Sequence, residues 1–170
     1  MNLKQYDSRP TLPESIEVAK PLHDLFPKLE VFKFLRQSDY KTIESYMFRY
    51  DYEKGAYIFK EGTHGAYMFF IVEGTVEVIK QFDTRKHTIA ELGPGRSVGE
   101  MSLIDGAPRS ATVRAKDKLS LIVLKREHFK KLLKEEPEIA NRVLMGISIL
   151  LSRSLRDTNK RFTERLLSIC

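Results

Sequence analysis

Residues 99–112 read Gly99-Glu100-Met101-Ser102-Leu103-Ile104-Asp105-Gly106-Ala107-Pro108-Arg109-Ser110-Ala111-Thr112. A glycine, an acid, a short helix-compatible segment, a turn, a proline and an arginine stand between two strand-like runs. That order suits a buried site for a small sugar phosphate. Ser102 and its neighbours offer backbone N–H groups at the start of a short helix, where anions are favoured. Gly99 removes a side chain where backbone must come close to a ligand. Arg109 supplies a planar fork of donors matched to two phosphate oxygens. An ionised Glu100 can only accept hydrogen bonds, so it suits a sugar hydroxyl rather than the phosphate. Val98 and Met101, on either side of Gly99-Glu100, line such a pocket or belong to the core.

Outward from this stretch, strand-prone runs are punctuated by glycine. They are Tyr57-Ile58-Phe59, Tyr67 to Val72, Thr75 to Ile79, His87 to Leu92, Ser110 to Arg114 and Leu119 to Leu124. Val76 and Val78 alternate with Thr75 and Glu77, as in a half-buried strand. The run Met68-Phe69-Phe70-Ile71-Val72 is apolar throughout and is expected at the centre of a sheet. Turn residues fall at the spacing of a small antiparallel barrel or sandwich, so the class is mainly β with flanking helices.

The stretch resembles the phosphate-binding cassette of the cyclic nucleotide-binding domains. These occur in cAMP-dependent protein kinase regulatory subunits, in cyclic-nucleotide-gated channels and in the bacterial catabolite activator protein. The family pattern runs Gly-Glu, two or three small or apolar residues, a turn, then Arg-Ser/Ala/Thr-Ala. It is met here by Gly99-Glu100, Pro108-Arg109 and Ser110-Ala111. The resemblance extends to Gly55 before Ile58-Phe59, to Glu61-Gly62, to Gly74 and to Gly93-Pro94-Gly95, and covers about residues 29–160. It implies an eight-stranded antiparallel β-roll (a double-stranded β-helix or jelly roll) with an N-terminal helix and a long C-terminal helix.

The resemblance also implies the chemistry. Arg109 would take the cyclic phosphate and Glu100 would accept from the ribose 2′-hydroxyl. Ser110 would add a hydroxyl to the phosphate, in a position where serine leans towards cAMP and leaves cGMP open. Val98, Gly99, Met101, Ser102, Pro108 and Ala111 would complete the ligand's surroundings. Base contacts in the family come from the long C-terminal helix. Thr158, with Ser154 and Asn159 near it, is the candidate there, although a polar break in an interface helix can instead fix register. The expected ligand is cAMP, with cGMP possible, and no prosthetic group. The output would pass to a separate, unidentified effector protein, since the chain shows no effector of its own and ends at Cys170 without room for a helix-turn-helix.

The flanks read as follows. Residues 1–28 hold Pro10, Pro13, Pro21 and Pro27 of the seven prolines and read as an extended arm. Leu22, Leu25 and Phe26 would pin the end of that arm. Residues 29–48 read as helical, with Ser38 or Asp39 as N-cap and Ile43, Tyr46 and Met47 recurring at helical spacing. The β-roll and its flanking helices take the span 29–136. Phe129, Leu132 and Leu133 form a short apolar helical face. In 137–170, Pro137 suits a helical first turn. Ala140, Leu144, Ile147, Leu151, Leu155, Phe162, Leu166 and Ile169 recur at helical spacing. A helix over 137–169 is longer than a domain of this size needs, and a second copy of itself would cover the surplus stripe economically, so a homodimer is expected.

Composition bounds the remaining options. A chain of 170 residues, 42% hydrophobic and 31% charged, is one ordinary domain with tails. The single cysteine rules out a disulfide framework and fits a reducing, cytoplasmic setting. No signal peptide and no run near ~18 apolar residues is visible, so no membrane span is expected. His23, His64, His87 and His128 form neither an HxH nor an HExxH pair, so no metal site is expected. No nucleophile elbow, Walker loop or dinucleotide fingerprint points to catalysis, so no catalytic residue is assigned. Of the net charge of +6, most lies from Lys125 onward, where 11 Lys and Arg face 6 Asp and Glu. A solvated helix surface explains this more simply than nucleic acid, because no recognition module accompanies the charge. Two alternatives stay open: a β-roll interaction module whose pocket is vestigial or holds another ligand, and a nucleic-acid-binding regulator using the basic C-terminal helix.

Overall fold

The computed structural model describes residues 22–167. Two four-stranded antiparallel sheets face each other. One is ordered β1-β8-β3-β6 and the other β2-β7-β4-β5. The strands are β1 (Met47–Tyr52), β2 (Tyr57–Phe59), β3 (Tyr67–Glu73), β4 (Val76–Phe82), β5 (Arg85–Leu92), β6 (Ser97–Val98), β7 (Thr112–Ala115) and β8 (Leu119–Lys125). The helices are α1 (Tyr40–Glu44), α2 (Glu100–Asp105), α3 (Arg126–Glu135) and α4 (Pro137–Leu167). This is the expected eight-stranded roll with helices at both ends, and α2 is inserted between β6 and β7.

β8 explains why the first sheet holds together. It pairs with β1 from Met47↔Leu124 to Tyr52↔Leu119 and with β3 from Tyr67↔Lys125 to Glu73↔Ser120. Successive residues of a strand point to opposite faces. Leu119, Leu121 and Val123 join Tyr50, Phe69, Ile71 and Val113 inside the roll. Ile122 and Leu124 join Met68, Phe70, Phe129, Leu132 and Ala140 under the helices. Both faces are therefore covered, and the apolar run 68–72 is central, as its composition suggested.

Two regions depart from the expectations. Over 29–48 there is little α-helix. The chain makes 3-10 turns at Leu22–Asp24, Phe26–Lys28, Glu30–Phe32 and Gln37–Asp39, then the single turn of α1, and β1 has begun by Met47. Tyr50 and Tyr52 point into the roll while Arg49 and Asp51 stay outward, a period-2 pattern that the helical reading of Tyr46 and Met47 concealed. The second region is the proline-rich arm. Its residues 1–21 lie outside the described residues. From Leu22 onward the chain is turned rather than extended, because Leu22, Phe26, Leu29, Val31 and Phe32 are all buried beneath α4 and α3.

α4 runs over 31 residues. Its first half docks, with Ile139, Ala140, Val143 and Ile147 buried. Gly146 lies directly on the backbone of the third 3-10 turn, where an added Cβ would sit 1.8 Å from the Val31 carbonyl oxygen. Arg142 donates to Asp39 at 3.0 Å, and Asp39 also accepts from the Arg36 backbone at 2.8 Å. Arg153 pairs with Glu30. From Ser152 onward the described side chains of the helix are exposed. Ile169 of the expected stripe lies outside the described residues. Among the described residues no helix is long and apolar enough to cross a membrane.

Candidate functional site

The site is built where α2 breaks the β6–β7 connection. Gly99 adopts φ +91°, which lets the chain turn from β6 into α2. A Cβ on Gly99 would lie 2.5 Å from Nη1 of Arg109 and 3.0 Å from the Tyr67 carbonyl oxygen, so only glycine permits the arginine its position. Gly106, at φ +73°, ends α2, and its N–H donates to the Ser102 carbonyl at 3.1 Å. The loop between β2 and β3 clamps the far end. Arg109 N–H donates to Thr63 O at 2.8 Å, Gly62 N–H donates to Arg109 O at 2.9 Å, and His64 bridges to Pro108. Gly65 leaves room for the buried Ser102, whose Cβ would be 2.1 Å from any side chain there.

Arg109 points inward. The residue is 3% exposed, the lowest of the buried charged groups. Its guanidinium lies over two rings, 4.1 Å from the Phe59 centroid and 4.6 Å from that of Tyr67. Nη2 donates to the Tyr67 carbonyl at 2.7 Å, while Nη1 reaches the Gly99 carbonyl only at 3.5 Å. Nε is buried without a partner. Tyr67 is itself fixed, since its hydroxyl donates to Ile58 O at 2.7 Å, and burial pushes its pKa up to about 12. Two aromatic rings thus pack against the guanidinium, and at least one donor edge is unspent.

Glu100 is the first residue of α2, and its Oε2 is also buried without a partner. Burial pushes this carboxyl above its ordinary pKa, against the opposing pull of the α2 N-terminal amides and of the Arg109 charge. Burial likewise lowers the Arg109 pKa, offset by Tyr67 and Glu100. A buried donor and a buried acceptor, each lacking a partner, are thus held in one cassette. Each costs about 1–3 kcal/mol while unpaired. A ligand offering an anionic acceptor and a hydroxyl donor recovers both costs.

The other sequence-predicted residues divide. Val98 is half-buried and packs into the roll core, and Ser102 and Ala111 are buried. Met101 is 52% exposed on the outer side of α2, and Pro108 and Ser110 are exposed. The Ser110 carbonyl accepts from Lys80 Nζ at 2.6 Å, and Lys80 also pairs with Glu61. Thr158 is exposed on the outer half of α4, and its hydroxyl donates to Ser154 O at 2.8 Å within its own helix. The cassette is assembled without it. Phe59 and Tyr67, the two rings that orient Arg109, read in the sequence only as strand residues. No local pattern links them to an arginine more than forty positions away, and pairing across the roll is what brings them there. Among the described residues no group of three or more His, Cys, Asp or Glu could hold a metal ion.

This geometry coincides with a family match. A family model described as the cyclic nucleotide-binding domain matches residues 49–136, from β1 to the end of α3. The chain belongs to the cyclic nucleotide-binding domain family. A cyclic nucleotide-gated potassium channel from Mesorhizobium japonicum is 46% identical over 86 residues, 51% of this chain and 22% of the channel. The cyclic AMP receptor protein of Thermus thermophilus is 34% identical over 116 residues, 68% of this chain and 52% of the receptor. The chain therefore spans about half, or less, of these two relatives. A crystal structure of a cyclic nucleotide-binding domain from Methylobacillus flagellatus superposes with a TM-score of 0.78 at 30% identity, covering 86% of this chain and 87% of that one.

Proposed function

We propose that this cyclic nucleotide-binding domain is a sensor for cAMP, acting as a homodimer through α4 and signalling to a separate effector protein. The observation that carries the reading is the unpaired couple in the cassette, Arg109 Nε and Glu100 Oε2. A cyclic phosphate and the adjoining ribose 2′-hydroxyl offer the complementary acceptor and donor on one rigid ligand. Gly99, Ser102 and Ala111 would surround the phosphate, Val98 would flank the ribose side and Pro108 and Ser110 would form the rim, while Met101, exposed on α2, and Thr158, exposed on α4, stay outside this arrangement. The relatives point the same way, since a receptor for cyclic AMP is among them.

Titration calorimetry tests the reading. cAMP is expected to bind in the micromolar range or tighter, and cGMP more weakly. Absence of binding by both below millimolar concentration overturns it. A 2′-deoxy analogue leaves the Glu100 acceptor unpaired and should bind about 30-fold more weakly. The pH dependence has a definite sign. Because the folded pKa of Glu100 is raised above its ordinary 4.5, the native state holds more protons than the unfolded chain just above that pH. Stability of the ligand-free domain contributed by this group therefore falls as pH rises through the window. The 2′-hydroxyl bond favours the carboxylate form, so cAMP affinity should weaken as pH drops through the same window. Glu100→Gln should remove both slopes, read by melting curves and by calorimetry between about pH 4.5 and 7.

The dimer rests on α4, where Leu155 and Phe162 are 62% and 63% exposed on one helix. Sedimentation equilibrium should find a dimer for the wild type and a monomer for Phe162→Asp.

One observation favours a second reading. Nη2 of Arg109 already holds the Tyr67 carbonyl. An arginine used only as a clip between β3 and the cassette would make the roll an interaction module without a nucleotide. The same calorimetry separates the two.

A further inference from the structure

The cassette meets the C-terminal helices through the buried side chain of Leu103 and through one polar side chain, that of Arg126. Arg126 is the first residue of α3. Its Nε donates to the carbonyl of Leu103, in the last turn of α2, at 3.0 Å. The guanidinium then lies across Gly106, where an added Cβ would be 2.1 Å from Nη1 and 2.7 Å from Cζ. Its backbone N–H donates to Ala66 O at 2.8 Å, in the loop that also holds Thr63 against Arg109. Arg126 is therefore the meeting point of α2, the β2–β3 loop and α3.

Leu103 is gripped twice. Its carbonyl takes Arg126, and its side chain, 2% exposed, sits in the cluster that contains Phe129, Leu132, Ala140 and Val143. An apolar cluster resists compression but lets its members slide. A charge-assisted hydrogen bond resists sliding as well. A shift of α2 along its axis would thus pull on the first turn of α3, and α3 packs on α4.

We propose that Arg126 is the positioning residue through which occupancy of the cassette reaches α3 and α4. This rests on the nucleotide-binding reading above. Arg126 touches neither of the unpaired cassette atoms, so it acts through Leu103 and Gly106 and not on the ligand.

The test pairs two readouts on the same chain with and without cAMP. Calorimetry gives the affinity, and amide hydrogen exchange over residues 126–150 gives the helix response. Arg126→Met keeps the apolar stem and removes the donors. It should bind cAMP within about tenfold of wild type, the size of a coupling factor, and lose most of the cAMP-induced change in exchange across α3 and α4. Arg126→Lys keeps a charge near the Leu103 carbonyl without the fork over Gly106, and should retain part of the response. It also serves if the methionine variant does not fold. A wild-type-sized response in Arg126→Met, or in Arg126→Lys should the former not fold, overturns the coupling role and leaves the sensor reading standing. A wild type that binds no cyclic nucleotide overturns the sensor reading, and this inference falls with it.

Discussion

Arg109→Ala is expected to weaken cAMP binding by about thirtyfold or more. Truncating one member of a buried, charged contact costs about 2–5 kcal/mol, and each 1.4 kcal/mol is tenfold in affinity. The structure sharpens this expectation. The guanidinium lies 4.1 Å from the centroid of Phe59 and 4.6 Å from that of Tyr67, and its removal leaves a gap beside this edge-on ring pair. The Tyr67 carbonyl loses its 2.7 Å donor at the same time. Some loss of stability therefore accompanies the loss of binding, and the two must be read separately. Arg109→Lys separates them. A lysine restores charge but neither the flat stacking nor the fork, so it should recover part of the melting temperature and little of the affinity. Affinity unchanged in Arg109→Ala would remove the phosphate role.

The second large effect is expected at Gly146→Ala. In an exposed helix this change stabilises by about 1 kcal/mol, because alanine is the better helix former. Here the sign should reverse. The new Cβ would lie 1.8 Å from the Val31 carbonyl oxygen and 2.8 Å from Val31 Cα, and both are backbone atoms that cannot swing aside. Either α4 lifts from the third 3-10 turn or that turn moves, and Ile147, Val143 and Phe32 then lose part of their burial. Overpacking of this kind costs about 1–3 kcal/mol, occasionally more. A fall in chemical-denaturation midpoint with an unchanged slope is the expected reading. A midpoint equal to or above wild type would show that the helix rests on its ion pairs, Arg142 with Asp39 and Arg153 with Glu30, and not on close backbone contact.

The two effects fall on parts of the molecule that were unequally visible in the sequence. The cassette was legible because its chemistry is contiguous: Gly99, Glu100, Arg109 and Ala111 lie within one turn and its flanks. The β-roll was legible because glycines mark most strand ends and because the run 68–72 could only be buried on both sides. The long helix was legible from its period. β1 was not, since Tyr46 and Met47 satisfy a helical spacing as well as a strand one, and only pairing with β8 decides between them. The N-terminal 3-10 turns were not, because what shapes them is the underside of α4, some hundred residues away. Gly146 carries no local sign that a carbonyl presses on it. Nor do Phe59 and Tyr67 show that they will enclose a cation. The misses share one cause: tertiary contacts between distant segments outweigh local preference wherever that preference is weak.

β8 has a consequence for how the chain avoids misfolding. Leu121 and Ile122 are neighbours, yet one belongs to the interior of the roll and the other to the helical side. Sliding this strand by a single position would exchange the contents of two compartments at once. Tight apolar surfaces on both sides would then be asked to accept residues shaped for the opposite room. The two cores proofread one alignment between them, and an error that a one-sided sheet could absorb in solvent has nowhere to hide here.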